Sequence, residues 1–293
     1  MFPNHFAFHQ PTSLEEALSL LSGDPDAKLL AGGHSLIPAM KLRLAAPTSL
    51  IDLGNINKLR GVTANGGVTV GAMTTYKEIM ESNVVRDVIP LLHEAVGVVG
   101  DPQVRARGTL GGSLAHADPA ADLTAVFLAM GGEVVAVSKN GARTIAADDF
   151  FVDLWTTVLR PDEIITELKF AAQGGSIGTS YQKYEHPASG YAVVGVAVVV
   201  SLDTSNTCTR ARIAVTGATS KATRAMPAEG ALTGRSLSEV TIDSAAAQAT
   251  EGLSINGDYF ASEEYRGHLV RVLTRRALLQ ASRAVTGQDT NQG

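Results

Sequence analysis

The sequence predicts an α+β protein built in two parts. Three observations lead there. In the first part, helix-capping signals alternate with short apolar runs and Asn-Gly turns. Beyond Gln173-Gly174-Gly175 the texture changes to long apolar runs, followed by alanine-rich and amphipathic stretches. Neither glycine-rich run of the first part, Ala31 to Ser35 or Gly108 to Ser113, fits the G-x-G-x-x-G fingerprint, which argues against a doubly wound dinucleotide fold. The expected division is residues 1–175, subdivided into about 1–54 and 55–175, and residues 176–293.

Thr12-Ser13-Leu14-Glu15 reads as a capping box. Leu14, Ala17, Leu18 and Leu21 then mark one helical face, and Gly23-Asp24-Pro25 ends it. Lys28 to Ala31 reads as a short buried strand that delivers the first glycine run. Leu36 to Leu44 resumes a helical pattern, with Pro38 tolerated in its first turn, and Leu50 to Leu53 is a second strand. Gly61 to Ala64 and Val68 to Ala72 flank Asn65-Gly66-Gly67, a hairpin signal. Thr75 and Glu78 form another capping pair, and Ile89 to Val99 reads as a buried helix. Asp118-Pro119 reads as the N-cap and first residue of the helix that ends at Gly131-Gly132. Glu133 to Val137 and Thr144 to Ala146 form a hairpin around Asn140-Gly141, and Ile164 to Phe170 is another strand. In the second part Tyr181 to Tyr184, Ala192 to Leu202 and Cys208 to Thr216 are strands. Ser244 to Glu251 and a stretch capped by Ser262 are helices, with Gly287 past the last end and a frayed tail from Gln288 to Gly293.

At 293 residues the chain can bury a large core. Hydrophobic residues at 45% and charged residues at 18% fit an ordinary globular protein. A net charge of −5 without a basic block argues against nucleic acid. No apolar run reaches the length of a membrane span, and Met1-Phe2-Pro3-Asn4-His5-Phe6 lacks the pattern of a secretory leader, so a cytoplasmic location is expected. Cys208 is the single cysteine, so the chain forms no internal disulfide and holds no cysteine-ligated iron–sulfur cluster or multi-cysteine zinc site.

The chemistry concentrates in two small-residue runs, Ala31-Gly32-Gly33-His34-Ser35 and Thr109-Leu110-Gly111-Gly112-Ser113. Paired glycines let backbone N–H groups approach a ligand, Thr109 and Ser113 add hydroxyls, and a helix follows each run. Such loops suit an anion, and both are expected to close on one pyrophosphate-containing cofactor. Each alone also reads as a tight turn. His34 suits either a hydrogen bond to that cofactor or bracing of its own loop. His116 reads as a structural loop residue, Asp118 as an N-cap and Trp155 as packing. The other histidines show no metal-ligand spacing.

With Ala31 to Pro38, Thr109 to Ser113 and Ser189-Gly190-Tyr191-Ala192-Val193-Val194-Gly195-Val196-Ala197 in order, the chain resembles the medium, FAD-binding subunits of aerobic carbon monoxide dehydrogenase-type molybdenum hydroxylases. More distantly it is similar to the flavin domains of xanthine dehydrogenases. The resemblance covers essentially the whole chain. It implies a two-part vanillyl-alcohol-oxidase-type FAD-binding domain and a smaller sheet-plus-helix C-terminal domain. It implies FAD as cofactor, with a small iron–sulfur subunit and a large molybdenum subunit as partners, in a dimer of heterotrimers. Electrons then pass from partner clusters through FAD to an external acceptor. Cys208 as the single cysteine agrees, because the clusters must sit on another chain.

Carried over residue by residue, the resemblance makes Ala31, Gly32, Gly33, His34 and Ser35 the first pyrophosphate cradle and Thr109, Gly111, Gly112 and Ser113 the second. Asp122 matches a cofactor contact whose carboxylate can hold a sugar hydroxyl. Ile165 matches an apolar backbone contact to the isoalloxazine ring, Lys183 a cation near the ring edge, and Tyr191 an aromatic covering the flavin face. Leu123-Thr124 departs from the aromatic-proline pair common in the family. No catalytic acid or base and no metal ligand is implied. Two other readings stay open on the residues: a stand-alone FAD-dependent reductase or oxidase, and a non-redox nucleotide-binding adaptor.

Overall fold

A computed structural model describes residues 2–171 and 176–286; Gln173-Gly174-Gly175, Gly287 and the tail from Gln288 lie outside the described residues. The chain opens with β1 (Ala7–His9), α1 (Leu14–Gly23), β2 (Lys28–Leu30), α2 (Leu36–Lys41) and β3 (Ser49–Asp52). The three strands form a parallel sheet in the order β1-β3-β2, on which α1 buries Ala17, Leu18 and Leu21. The expected capping box is one residue late in the structure. Ser13 is the N-cap and accepts from the Glu16 N–H, while the Glu16 carboxylate takes the Thr12 N–H at 3.1 Å. β2 was expected to be buried. It is an edge strand, and its three residues are exposed to partly buried.

The second unit holds β4 (Val62–Ala64), β5 (Gly67–Gly71), α3 (Tyr76–Glu81), α4 (Asn83–Val88), α5 (Pro90–Gly97), α6 (Pro102–Arg107), α7 (Leu110–His116) and α8 (Asp122–Met130). It continues through β6 (Glu133–Ser138), β7 (Gly141–Ala146), the single-turn α9 (Ala147–Phe150), β8 (Phe151–Asp153), β9 (Thr156–Thr157) and β10 (Ile164–Ala171). Five strands form an antiparallel sheet in the order β4-β5-β10-β6-β7. The capping box of Thr75 and Glu78 forms as the sequence predicts. α8 is buried along its whole length, and Gly131 closes it in the left-handed region at φ 65°.

The run before Asp118, expected to be a loop, forms a helix of its own, α7, and the helix expected to start at Asp118 starts at Asp122. Thr109 caps α7, and Ala117 ends it at φ 51°. Asp118 then accepts from the Ala120 N–H in a turn, so it is not an N-cap; α8 begins at Asp122 with Ala121 at its cap. His116 is the last residue of α7 rather than part of a loop. Trp155 is not packed either: it is 60% exposed, at φ 49° in the tight β8–β9 hairpin, where no element covers it.

The third unit is an antiparallel sheet of β11 (Ser176–Glu185), β12 (Ala192–Leu202), β13 (Cys208–Thr216) and β14 (Thr223–Arg224), followed by α10 (Met226–Leu232), α11 (Glu239–Ala247) and α12 (Glu263–Thr286). α11 starts five residues before the expected Ser244, because Ser238 caps it by accepting from the Thr241 N–H. β12 is buried on both faces. Val194, Val196, Val198 and Val200 face α10 to α12, while Ala197 and Val199 join the core of the preceding unit around Phe127 and Phe150. This explains an uninterrupted apolar run in an antiparallel strand, where alternation is the rule. The last sheet is thus packed on α8 and is not a free-standing lobe.

Candidate functional site

A cleft of about 630 Å³ is walled by residues of all three units, within the size range of small-molecule sites. Both glycine runs line it and they touch. A Cβ on Gly32 would collide with the Arg107 carbonyl, and a Cβ on Gly112 would lie 3.3 Å from that of Ala31. Gly33 sits at φ +80°, which L side chains rarely adopt, so the first loop turns there.

The two runs differ in what they offer a ligand. In the second, the chain itself uses the backbone donors: Leu110 N–H bonds the Thr74 carbonyl, Gly111 N–H the Ala72 carbonyl, Gly112 N–H the Thr109 hydroxyl and Ser113 N–H the Thr109 carbonyl. In the first, no acceptor among the described residues takes the N–H of Gly32, Gly33, His34 or Ser35. Four successive uncommitted donors on a concave wall form an anion nest. The second run contributes hydroxyls, close approach and a rigid base. This set fits a diphosphate.

The wall that follows is held by the third unit. Thr216 donates its hydroxyl to the Pro119 carbonyl at 2.6 Å, with the Ala121 carbonyl at 3.0 Å, and Gly217 N–H bonds the Pro119 carbonyl at 2.6 Å. The Asp118–Ala121 turn therefore takes its position from the end of β13. Nothing in the sequence marked Thr216, since a threonine at a strand end is ordinary.

Asp122 lines the cleft, yet its carboxylate is engaged by the chain. Tyr181 donates to Oδ1 at 2.6 Å, and the Lys183 ammonium lies 3.0 Å from Oδ1 and 3.1 Å from Oδ2. Burial pushes the Asp122 carboxyl up, opposed by Lys183 and by the Tyr181 hydroxyl. Lys183 also bonds the Val98 carbonyl at 3.1 Å and is not among the cleft-lining residues. The ammonium is thus held between the Asp122 carboxylate and the Val98 carbonyl.

Ile165 lines the cleft beside the bulge where β10 shifts register against β6. Tyr191 lines it from the loop after β11 and is 42% exposed. Its phenol is raised by partial burial and the Asp118 carboxylate, against a hydrogen bond with Ser35, so it reaches across to the first loop. His34 is exposed on the wall, and no hydrogen bond from its side chain braces its loop among the described residues. Tyr76, absent from the sequence reading, lines the cleft under Gly108. Its burial pushes the phenol up to about 12, against a hydrogen bond with Ser113. A tyrosine after a helix cap gave no other signal than core packing.

Residues 4–173 match the family described as the FAD binding domain in molybdopterin dehydrogenase, and residues 179–281 the carbon monoxide dehydrogenase flavoprotein C-terminal domain. The chain is 37% identical to the carbon monoxide dehydrogenase medium chain of Hydrogenophaga pseudoflava, covering 95% of this chain and 97% of that one. It is 40% identical to the nicotine 6-hydroxylase medium subunit of Paenarthrobacter nicotinovorans, covering 94% and 96%. Among solved structures, a chain of the Hydrogenophaga pseudoflava carbon monoxide dehydrogenase superposes with a TM-score of 0.94 at 38% identity, covering 97% of this chain and 100% of that one. One from quinoline 2-oxidoreductase of Pseudomonas putida 86 gives 0.91 at 32%, covering 97% and 99%.

Proposed function

This chain belongs to the family of FAD-binding domains of molybdopterin dehydrogenases, and from that premise we propose that it holds FAD in the cleft between Gly32–Ser35 and Thr109–Ser113. It is the flavin subunit of a molybdenum hydroxylase, with the iron–sulfur clusters and the molybdenum cofactor on partner chains. The observation that carries the site is the row of four uncommitted N–H donors, Gly32 to Ser35, set against the rigid start of α7.

When bound, FAD supplies the redox chemistry between partner clusters and an external acceptor. The chain's own residues bind and shield it. The N–H groups of Gly32 to Ser35 receive the diphosphate, and the Thr109 and Ser113 hydroxyls face it from the second run. Ile165 supplies apolar backbone to the ring, and Tyr191 covers a face and excludes water. Asp122, Tyr181 and Lys183 fix the start of α8 beneath the cleft. No side chain is required to move a proton for the relay. We divide the chain between residues 173 and 179, where the two family matches part.

Relatives of similar identity carry names of carbon monoxide, glyceraldehyde and nicotine enzymes, so likeness in this chain follows the flavin role and not the substrate oxidised elsewhere in the complex. The test is purification of the full chain with its partners, followed by a visible spectrum and metal analysis. One flavin per copy of this chain is expected, with iron and molybdenum in the complex. A colourless chain that cannot be reconstituted with FAD, yet still binds its partners, would overturn the proposal.

A further inference from the structure

A second cavity, of about 230 Å³, adjoins the place where the two glycine runs touch. Ala31 and Thr109 line both it and the cleft, so the two share a wall. Its volume falls below the ~300 Å³ at which sites for drug-sized ligands begin, and it has room for a small ion with a few waters. The lining is polar and comes from two units. Asp52 ends β3, Asn55 lies in the short turn that follows, Arg60 leads into β4 and Arg107 ends α6.

The charges on this lining do not cancel one another. Asp52 accepts from the Gly54 N–H at 2.9 Å and from the Gln10 amide at 3.3 Å, and it pairs with neither arginine. Arg60 makes only long contacts, 3.6 Å to the Glu78 carboxylate and 3.4 Å to the Gly54 carbonyl. The Arg107 guanidinium and the Asn55 carboxamide have no partner among the described residues. Opposite charges that line one cavity and leave each other unpaired suit a ligand that carries an anion and a hydrogen-bond donor together.

We propose that this cavity is an anion site separate from the cleft, and that its ligand is hydrogen phosphate. Guanidinium forks match the oxygens of a phosphate. The Asn55 amide adds a neutral donor, and the P–OH group of hydrogen phosphate donates to the Asp52 carboxylate. Sulfate has nearly the same shape but carries no proton at neutral pH, so Asp52 selects against it. The bound ion joins Asp52 and Asn55 of the first unit to Arg107 of the second, whose carbonyl lies against Gly32. It therefore clasps the two units at the level of the glycine runs.

The test is equilibrium dialysis of the flavin-loaded complex against radiolabelled inorganic phosphate at constant ionic strength. Bound flavin keeps phosphate out of the cleft. The parent complex should bind one more phosphate per copy of this chain than Arg60→Gln or Arg107→Gln, with a Kd of about 1 mM or tighter. Two variants at separate positions, each checked for fold by circular dichroism, guard against the failure of one. Sulfate should compete at least about tenfold less well than phosphate, and Asp52→Asn, whose amide can donate, should remove that preference. Equal phosphate in the parent and both arginine variants, or binding only far above that concentration, would overturn the site. Sulfate competing as well as phosphate in the parent, or a preference kept in Asp52→Asn, would overturn hydrogen phosphate as the ligand held by Asp52. Flavin content is read separately: a parent complex without flavin refutes the cleft reading, whereas flavin kept with no phosphate sensitive to the arginine variants refutes this site alone.

Discussion

The Lys183 ammonium stands 3.0 Å from the Asp122 carboxylate, joining β11 of the last sheet to the first residue of α8 with both side chains almost fully buried. Removing one member of such a pair leaves the other as an uncompensated buried charge, at a cost of about 3–5 kcal/mol. Lys183→Met is therefore expected to lower thermal stability sharply, and Lys183→Met/Asp122→Asn to recover most of it. Because Lys183 is not on the cleft wall, the folded fraction of Lys183→Met should keep its flavin. A double variant no better than the single would show that the pair is not the source of the loss.

Gly32→Ala is expected to fold and to lose flavin. The new Cβ would meet the Arg107 carbonyl, backbone that cannot turn aside, so the first loop must move off the second. Gly112→Val crowds the second run, where a Cβ would lie 2.7 Å from the Thr109 hydroxyl and 3.3 Å from the Ala31 Cβ. The flavin-to-protein ratio after desalting is the readout, with circular dichroism reporting the fold. Stoichiometric flavin in both variants would defeat the cradle.

Thr216→Val keeps the shape of the side chain and deletes the hydroxyl that serves the Pro119 and Ala121 carbonyls. Both carbonyls keep another donor, the Gly217 N–H and the Thr124 hydroxyl, so the cost is that of a lost hydrogen bond, about 0.5–1.5 kcal/mol. Stability measured by denaturant titration should fall by that amount, and flavin affinity should fall with it as the Asp118–Ala121 wall loosens.

Tyr191→Ala should leave stability nearly unchanged, since the side chain is half-exposed, while altering the flavin absorbance envelope and the rate of reaction with the acceptor. Unchanged spectra together with unchanged acceptor kinetics would remove Tyr191 from the site.

Glu163 supplies a pH signature. Hydrogen bonds from Arg143, then from the Arg160 backbone, hold its carboxyl below the ordinary glutamate value. A depressed folded value means stability that is present above the ordinary value of about 4.3 and lost as pH falls through the lower folded one. Thermal midpoints followed from neutral to acid pH should show that loss in the parent chain and less of it in Arg143→Met, which starts less stable by about 1.5–3 kcal/mol.

Local signals read well wherever one residue type has one conformational use. Thr75 and Glu78 form their capping box, Gly131 ends α8, and the β6–β7 hairpin turns through Lys139-Asn140, one residue before the expected pair. The reading slipped where two neighbours could do the same job. Thr12 and Ser13 both suit a cap, and the burial of Ala17, Leu18 and Leu21 selects Ser13. Asp118-Pro119 has the composition of a helix start, but α8 must begin at Asp122 for its N-terminal carboxylate to reach Tyr181 and Lys183.

The sequence by itself determined the α+β class, the two small-residue runs, the lack of cysteine ligands for an iron–sulfur cluster, and the family resemblance. Those properties reside in residue type and order along the chain. Tertiary structure alone decided that Gly32–Ser35 keep their donors free while Leu110 and Gly111 spend theirs, because the Thr74 and Ala72 carbonyls come from a distant segment, whereas Gly112 and Ser113 bond back to Thr109. It likewise decided that Asp122 and Lys183 satisfy one another, since a buried charge takes whichever opposite charge the fold brings within reach.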